Sequence, residues 1–225
     1  MKPYASGKRW TLYAGDCVVA PVVGADAIVT EPPFGIAYEK GAGGSCVTSR
    51  GTVRERKWGP IAGDDVDFDP TPWLAFPRVL LWGANHYAAR LPRGRWLAWN
   101  KLGDFEPFGD SFADVELGWC NQRGADRIFS LLWKGVRQGE KYDNGVRLHP
   151  SQKPIGLCAW WIEQLALPVD SLVCDPYTGS ASVGVATLLA GHRFVGVEID
   201  PAHLDIAARR LGQAESDGVQ SSLFG

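Results

Sequence analysis

The run Glu31-Pro32-Pro33-Phe34 sets a carboxylate, two stiff residues and an aromatic ring side by side. That set suits one kind of chemistry. An amine on an aromatic base is a poor nucleophile, because its lone pair is delocalised into the ring. A carboxylate and a backbone carbonyl can accept its two N–H groups. The amine then turns pyramidal, and its lone pair can attack a methyl sulfonium. The two prolines stiffen the backbone that aims the carbonyl. Phe34 offers a face for stacking a swung-out base, worth ~1–3 kcal/mol per base. An amine inside a duplex is out of reach, so the base must first leave the stack. Little acid–base work remains, and catalysis is alignment and electrostatics. The plain structural alternative is a strand ending in a Pro-Pro turn with a buried Phe.

A second signal lies in residues 171–200, SLVCDPYTGSASVGVATLLAGHRFVGVEID, which read as strand, turn, helix, strand, acid. Asp175 closes the first strand, and Gly179 and Ser180 make a tight turn into the helix. The N–H groups at such a helix start can face a polar ligand. Glu198 ends the second strand, 23 residues after Asp175. An acid at that place accepts hydrogen bonds from ribose hydroxyls in nucleotide-binding α/β folds. The G-x-G-x-x-G spacing of a dinucleotide site is missing. An ordinary βαβ unit with a glycine turn is the bland alternative.

These residues need a scaffold, and the pattern supplies an α/β one. Strands are expected at Trp10–Tyr13, Asp26–Thr30, Arg78–Trp82, Arg95–Trp99, Ile128–Trp133, Ser171–Cys174 and Arg193–Glu198. Gly15-Asp16-Cys17 and Glu31-Pro32 then both follow strands, where open α/β sheets bind their ligands. One helix should start near Asp69 or Thr71, a second should cover Pro154–Leu167, and a third Ala181–Ala190, stopped by Gly191. The last should open with Asp200 as cap and Pro201 at its first position and end at Gly212. Residues 38–66 lack periodicity and read as a long, mobile loop. Residues 1–212 then form one domain, followed by a flexible tail, 213–225.

Bulk properties narrow the class. The chain has 225 residues, enough for one domain with a real core. No apolar run is long enough to span a membrane, and the N-terminus lacks the apolar core of a signal peptide, so a cytoplasmic location is expected. Five scattered cysteines without a C-x-x-C pair argue against a zinc site or a disulfide framework, and no metal is expected. Cys158 and Cys174 lie in apolar runs and read as small buried hydrophobes. The net charge of −2 means that nucleic-acid binding would need clustered basic residues. Two clusters exist: Arg50, Arg54, Arg56 and Lys57, and a second between 121 and 153 that includes Arg123, Arg127, Lys134 and Arg137. A solvated surface is the alternative for both.

In this order, LYAGDC, TEPPFGI, VLLWGANHYAARLP, RWLAWNK, FADVELGWCN, LHPSQKP, DPYTGSASVGVAT and VGVEID resemble the landmarks of the β-class amino-group DNA methyltransferases, phage and prophage members included. The resemblance covers Trp10 to Leu211. It implies a doubly wound, mostly parallel, circularly permuted Rossmann-like sheet that binds S-adenosylmethionine. The expected activity is methylation of adenine N6 in double-stranded DNA, with cytosine N4 as the alternative. By resemblance, Asp16 meets the cofactor's adenine end and Glu198 its ribose. Asp175, Tyr177 and Gly179 line its methionine side, beside Ser180, and Lys153 helps hold its carboxylate. Glu31, Pro32, Pro33 and Phe34 form the amine site. Residues 121–148 stand where this class carries target recognition, so their basic residues become DNA contacts and Trp133 core. The loop at 38–66 would close over the base or the backbone.

Two positions depart from the family pattern. The first acid is usually Asp and here is Glu31; ~1 Å of misplacement can cost about 100-fold in rate. A non-catalytic binding protein is therefore the rival reading. Ala181 stands where glycine is common, a mild change for a good helix former. The recognition segment is short, which suits a small site or a homodimer. At the C-terminus, Gln220, Leu223 and Phe224 resemble the short peptide that docks bacterial sliding clamps, a mode that needs a free tail and two apolar anchors.

Overall fold

The computed structural model describes residues 2–17, 24–36, 61–107, 113–134, 137–139, 148–149 and 151–224. The first half carries β1 (Ala5–Ser6), β2 (Trp10–Ala14), β3 (Ala27–Thr30), a single helical turn α1 (Thr71–Leu74) and β4 (Val79–Trp82). A 3₁₀ segment (Ala84–Arg90) leads to β5 (Arg95–Asn100), β6 (Val115–Cys120) and β7 (Arg127–Ser130). Then come β8 (Trp133–Lys134), β9 (Arg137–Gln138), α2 (Ile155–Gln164), β10 (Leu172–Asp175), α3 (Ser182–Leu189), β11 (Arg193–Glu198) and α4 (Pro201–Phe224).

Nine strands form one sheet in the order β1-β2-β11-β10-β3-β4-β6-β5-β7, and β8 and β9 form a separate ribbon. From β2 to β4 every pairing is parallel, so the strands all end at one edge. β6 enters antiparallel between β4 and β5. The N-terminal β2 lies against the C-terminal β11, which places the start and end of the chain side by side, as a permuted doubly wound sheet requires.

The central strands alternate between two buried layers, as a period of two dictates. Ala27, Val29, Leu80 and Trp82 face the core under α2, α3 and α4. Ile28, Val79 and Leu81 face the other layer, with Phe68, Trp73 and Tyr87. Cys158 and Cys174 are buried as expected. No described helix is long and apolar enough to cross a membrane.

Three expectations need correction, and one central strand was not expected. The run 128–133 is not one strand: β7 ends at Ser130, and Trp133 belongs to the β8–β9 ribbon, although it does join the core. α2 stops at Gln164 because Ala166 turns left-handed, with φ 46°. β6 was not foreseen, since VELGWC carries an acid and a glycine, both poor strand formers. The glycine is there because a Cβ at Gly118 would run into the Trp82 ring.

The last helix does not end at Gly212 but continues to Phe224. A mid-helix glycine costs about 1 kcal/mol. Against it, Leu211 and Ala214 are fully buried, and the Glu215 carboxylate accepts the backbone N–H groups of Lys8 and Arg9 at 3.2 and 2.7 Å. Residues 213–215 are thus docked on the domain. The side chains of Gln220, Leu223 and Phe224 lie outside the described residues.

Candidate active site

The parallel strands bring the two chemical signals to one edge. Thr30 Oγ1, at the end of β3, donates to Asp175 Oδ1 at the end of β10, 2.6 Å away and fully buried. Asp175 Oδ1 also accepts the N–H of Tyr177 at 3.1 Å. The segments around Glu31 and Asp175 are therefore cross-tied. Burial pushes the Asp175 carboxyl up to about 7 against these two hydrogen bonds, and the charges of Glu198 and Glu31 push the same way.

On the β10–β11 side the turn is held by Glu198. Its Oε2 accepts the N–H of Gly179 at 2.6 Å and its Oε1 that of Asp200 at 2.8 Å. Gly15 at the end of β2 donates its N–H to the Glu198 carbonyl at 3.0 Å, and the neighbouring Asp16 is exposed. Ser180 is buried, and its carbonyl and hydroxyl accept Arg210 Nη1 from α4. Ala181 precedes α3 in a left-handed conformation, φ 60° and ψ 37°. Its helix propensity is therefore beside the point; a glycine there would avoid a Cβ clash. Tyr177 meets Phe68 and Trp73 edge-on, with centroids 5.9 and 6.2 Å away. It also shares a hydrogen bond with Cys17, whose thiol burial pushes up to about 11, so Cys17 is a packed thiol rather than a nucleophile.

On the β3–β4 side, Phe34 lies flat on His86, centroids 4.7 Å apart and planes 13° from parallel. The ring also lies over Gly83, whose φ of 68° and missing side chain make the room; a Cβ there would fall inside the ring. Asp64 fixes the turn, its Oδ1 accepting the N–H groups of Phe34 and Gly35 at 2.9 and 3.1 Å. Pro32 is buried and Pro33 half-buried. Phe34 borders a cavity of about 230 Å³ that also touches Phe68, Asn85, His86, Tyr87 and Arg90.

Glu31 sits in a cluster of four charges. Its Oε1 accepts Lys153 Nζ. Lys153 also lies 3.4 Å from Glu116 Oε2 on β6, and Glu116 Oε1 meets Lys101 Nζ at 2.7 Å. Trp82 Nε1 donates to Glu116 Oε2 at 3.1 Å. Burial pushes Glu31 up, to about 7, and the nearby Glu116 adds to this, while Lys153 pulls the other way. Burial also works against a charged Glu116, but Lys153, Lys101 and the Trp82 hydrogen bond outweigh it and hold that group down at about 2. Burial opposes the charge of Lys153, and the two carboxylates overcome it.

The sequence-predicted residues divide accordingly. Glu31, Pro32, Pro33 and Phe34 meet Asp175, Tyr177, Gly179, Ser180 and Glu198 at one edge, with Asp16 on the adjacent strand end. Lys153, expected beside the cofactor carboxylate, is seated on Glu31 with Glu116 within reach, as a buried ammonium needs a paired anion. Arg123 and Arg127 are exposed, the latter on the edge strand β7. Lys134 is 5% exposed and paired with Asp114, so it braces the ribbon instead of facing a phosphate. Arg137 lies on β9, its side chain outside the described residues, as are Arg50, Arg54, Arg56 and Lys57. Residues 61–66, assigned to the mobile loop, are ordered around buried Asp64, and 37–60 lie outside the described residues.

Sequence reasoning missed Asp64, Gly83, Lys101 and Glu116. Lys101 and Glu116 stood inside two quoted landmarks, RWLAWNK and FADVELGWCN, but only the β5–β6 pairing reveals that they meet. Gly83 stood inside a third, VLLWGANHYAARLP, but only the fold shows that the Phe34 ring lies over it; Asp64 gave no periodic or motif signal.

A family model described as DNA methylase matches residues 83–209, more than half of the chain. Among curated proteins, the DNA adenine methyltransferase YhdJ of Escherichia coli K12 is 35% identical over 75 residues, which are 33% of this chain and 24% of that protein. The type II methyltransferase M2.MboI of Moraxella bovis is 36% identical over 62 residues, 28% of this chain and 22% of its own length. The matched stretches thus span about a quarter of either relative. Among solved structures, the cytosine-N4-specific PvuII DNA methyltransferase superposes with a TM-score of 0.57 at 15% identity, over 97% of this chain and 95% of that one. TTHA0409 of Thermus thermophilus, in complex with S-adenosyl-L-methionine, gives 0.52 at 14% identity, over 92% and 96%. At such identities the likeness is one of fold.

Proposed function

We infer that this chain, which belongs to the DNA methylase family, transfers a methyl group from S-adenosylmethionine to the N6 amine of an adenine swung out of double-stranded DNA. The observation that carries the reading is the cross-tie from Thr30 to Asp175, which joins the Glu31-Pro-Pro-Phe34 corner to the turn braced by Glu198. When bound, the cofactor supplies an electrophilic methyl group. The donor set fits a cationic ligand, since Asp16, Asp175 and Glu198 stand at neighbouring strand ends. Each oxygen of Glu198 still has a lone pair for a ribose hydroxyl after taking its backbone N–H.

The chain's own residues do the rest. Phe34 supplies the aromatic ring against which the base stacks. Glu31 accepts one N–H of the exocyclic amine, which localises the nitrogen lone pair for an in-line attack. Pro32 and Pro33 hold the backbone carbonyl that takes the other N–H. Arg123 and Arg127, exposed beside the edge strand, contact the DNA backbone. A carboxylate at position 31 and Phe at 34 favour adenine over cytosine N4.

The test is incubation of the protein with tritiated S-adenosylmethionine and double-stranded DNA, followed by nucleoside mass spectrometry. N6-methyladenine is expected. N4-methylcytosine would overturn the choice of base, and cofactor binding without any methylated base would overturn the enzyme reading. Glu31→Asp is expected to lower the rate by about 10- to 100-fold, because withdrawing the carboxylate by about one bond length breaks its seat on Lys153. A rise in rate on that substitution would mean that the longer acid is a handicap.

A further inference from the structure

We propose that Glu116 is a positioning residue for Glu31: the two carboxylates share Lys153, so the ammonium has a second, fixed anion to move onto when Glu31 takes up a substrate amine. The proposal rests on the reading above, in which Glu31 accepts an amine N–H. Nothing in that reading requires a second carboxylate, nor one that comes from an antiparallel strand.

The geometry is lopsided in an informative way. Glu116 is anchored from three sides: Lys101 Nζ at 2.7 Å on one oxygen, Trp82 Nε1 at 3.1 Å on the other, and Lys153 at 3.4 Å. Glu31 is gripped by Lys153. Lys153 itself has further acceptors at the margin of hydrogen-bond range, Glu116 Oε2 and the Ser151 carbonyl, both at 3.4 Å. A shift of well under an ångström brings Nζ into full hydrogen-bond distance of Glu116. A lysine ammonium on a flexible stem with three donors can make that shift without losing its charge partner.

The charges explain why both extra residues are present. Lys101 and Lys153 against Glu31 and Glu116 make a neutral set, with side chains between 11% and 22% exposed. If Lys153 had Glu31 alone, an incoming amine would have to strip a buried ammonium of its partner, which is strongly unfavourable. With Glu116 beside it, the ammonium gives up only one of two anions when the amine takes Glu31. Lys101 in turn keeps Glu116 ionised and still. The titratable groups that face Glu31 are Lys153, Glu116, Lys101, Asp175, the buried Cys158 thiol on α2 and the Tyr87 phenol, whose hydroxyl donates to the Trp82 carbonyl.

The experiment follows the titration of Glu31 by carbon-13 NMR in protein labelled at the glutamate side-chain carboxyls, assigned with Glu31→Gln. Alongside it run the pH profile of kcat, KM for DNA, and cofactor binding by calorimetry. Glu116→Gln is expected to lower the midpoint of Glu31 by at least about half a pH unit, since a like charge is gone and Lys153 falls wholly to Glu31. It should also lower kcat about tenfold with cofactor affinity unchanged, because the ammonium no longer has anywhere to go. Lys153→Met is expected to move the midpoint the other way. Glu116→Asp, which keeps the charge, should restore much of kcat, and it serves also if Glu116→Gln does not fold. A wild-type protein that methylates no DNA sinks the activity on which the proposal rests. A methylating wild type matched by Glu116→Gln in both kcat and Glu31 midpoint sinks the proposal alone and leaves Glu116 a purely structural brace.

Discussion

The two acidic poles at the carboxyl edge of the sheet are built by different means. At the β10–β11 pole the carboxylates bind main-chain N–H groups: Glu198 takes Gly179 and Asp200, and Asp175 takes Tyr177. At the β3 pole, Glu31 is seated on an ammonium that arrives from 122 residues further along the chain. A carboxylate tied to backbone moves only if the backbone moves, so the first pole is preformed. A carboxylate tied to a side chain can exchange partners, so the second is adjustable. That division suits a site in which one ligand is bound and held while the other must be swung in and released.

The strongest way to break the comparison is to damage the adjustable pole and ask whether the preformed one notices. Gly83→Ala puts a Cβ where the Phe34 ring lies, at a φ of 68° that alanine resists, so the ring must leave His86. Methyl transfer should fall about 100-fold, as for other displacements of about 1 Å or more. Cofactor affinity, measured by calorimetry, should stay within about twofold. Equal losses in both would mean that the poles are one rigid unit.

A second, smaller effect separates the poles by charge. Burial has moved the Asp175 titration from the usual 3.8 to about 7. A carboxyl whose pKa is higher in the folded state favours folding when protonated. Its contribution is whole below about 3.8 and is lost as the pH climbs through about 7. Asp175→Asn keeps an oxygen for Thr30 and Tyr177 and deletes the charge. Urea melts between pH 4 and 8 should show the wild type losing stability relative to the variant, with slopes differing by up to about one proton, ~1.4 kcal/mol per pH unit. Parallel curves would show that Asp175 is not desolvated at all.

The preformed pole was the legible one. Its residues are close in sequence, and the βαβ order alone sets Asp175, Gly179 and Glu198 around one turn. Glu31-Pro32-Pro33-Phe34 was legible as a motif, because residue types at consecutive positions carry its chemistry. What holds that motif was not. Glu116 meets Lys101 and Lys153 only after β6 is threaded antiparallel between β4 and β5, and the strand in question carries an acid and a glycine. Asp64 lay in a stretch without periodicity, and its role depends on where the Phe34 turn ends up. The helix past Gly212 was misread for a related reason: its stability comes from Leu211, Ala214 and the Glu215 contacts with the turn between β1 and β2, which are tertiary rather than local.

The smallest effect probes whether the preformed turn carries strain. Ala181 is fully buried and holds φ at 60°, a conformation that costs a Cβ-bearing residue roughly 1–2 kcal/mol. Ala181→Gly removes that cost. It also forfeits a buried methyl, about 0.8 kcal/mol, and adds unfolded-state freedom of roughly 0.5–1 kcal/mol. These terms nearly cancel, so thermal unfolding should change by no more than about 1 kcal/mol, and Glu198 should keep its hold on Gly179. Ala181→Val, which brings a β-branched side chain to the same backbone, should lose about 2 kcal/mol or more. A Gly variant as damaged as the Val variant would place the burden on the methyl group and not on the backbone. The turn would then be held by packing rather than by the carboxylate–backbone bonds that set it apart from the Glu31 pole.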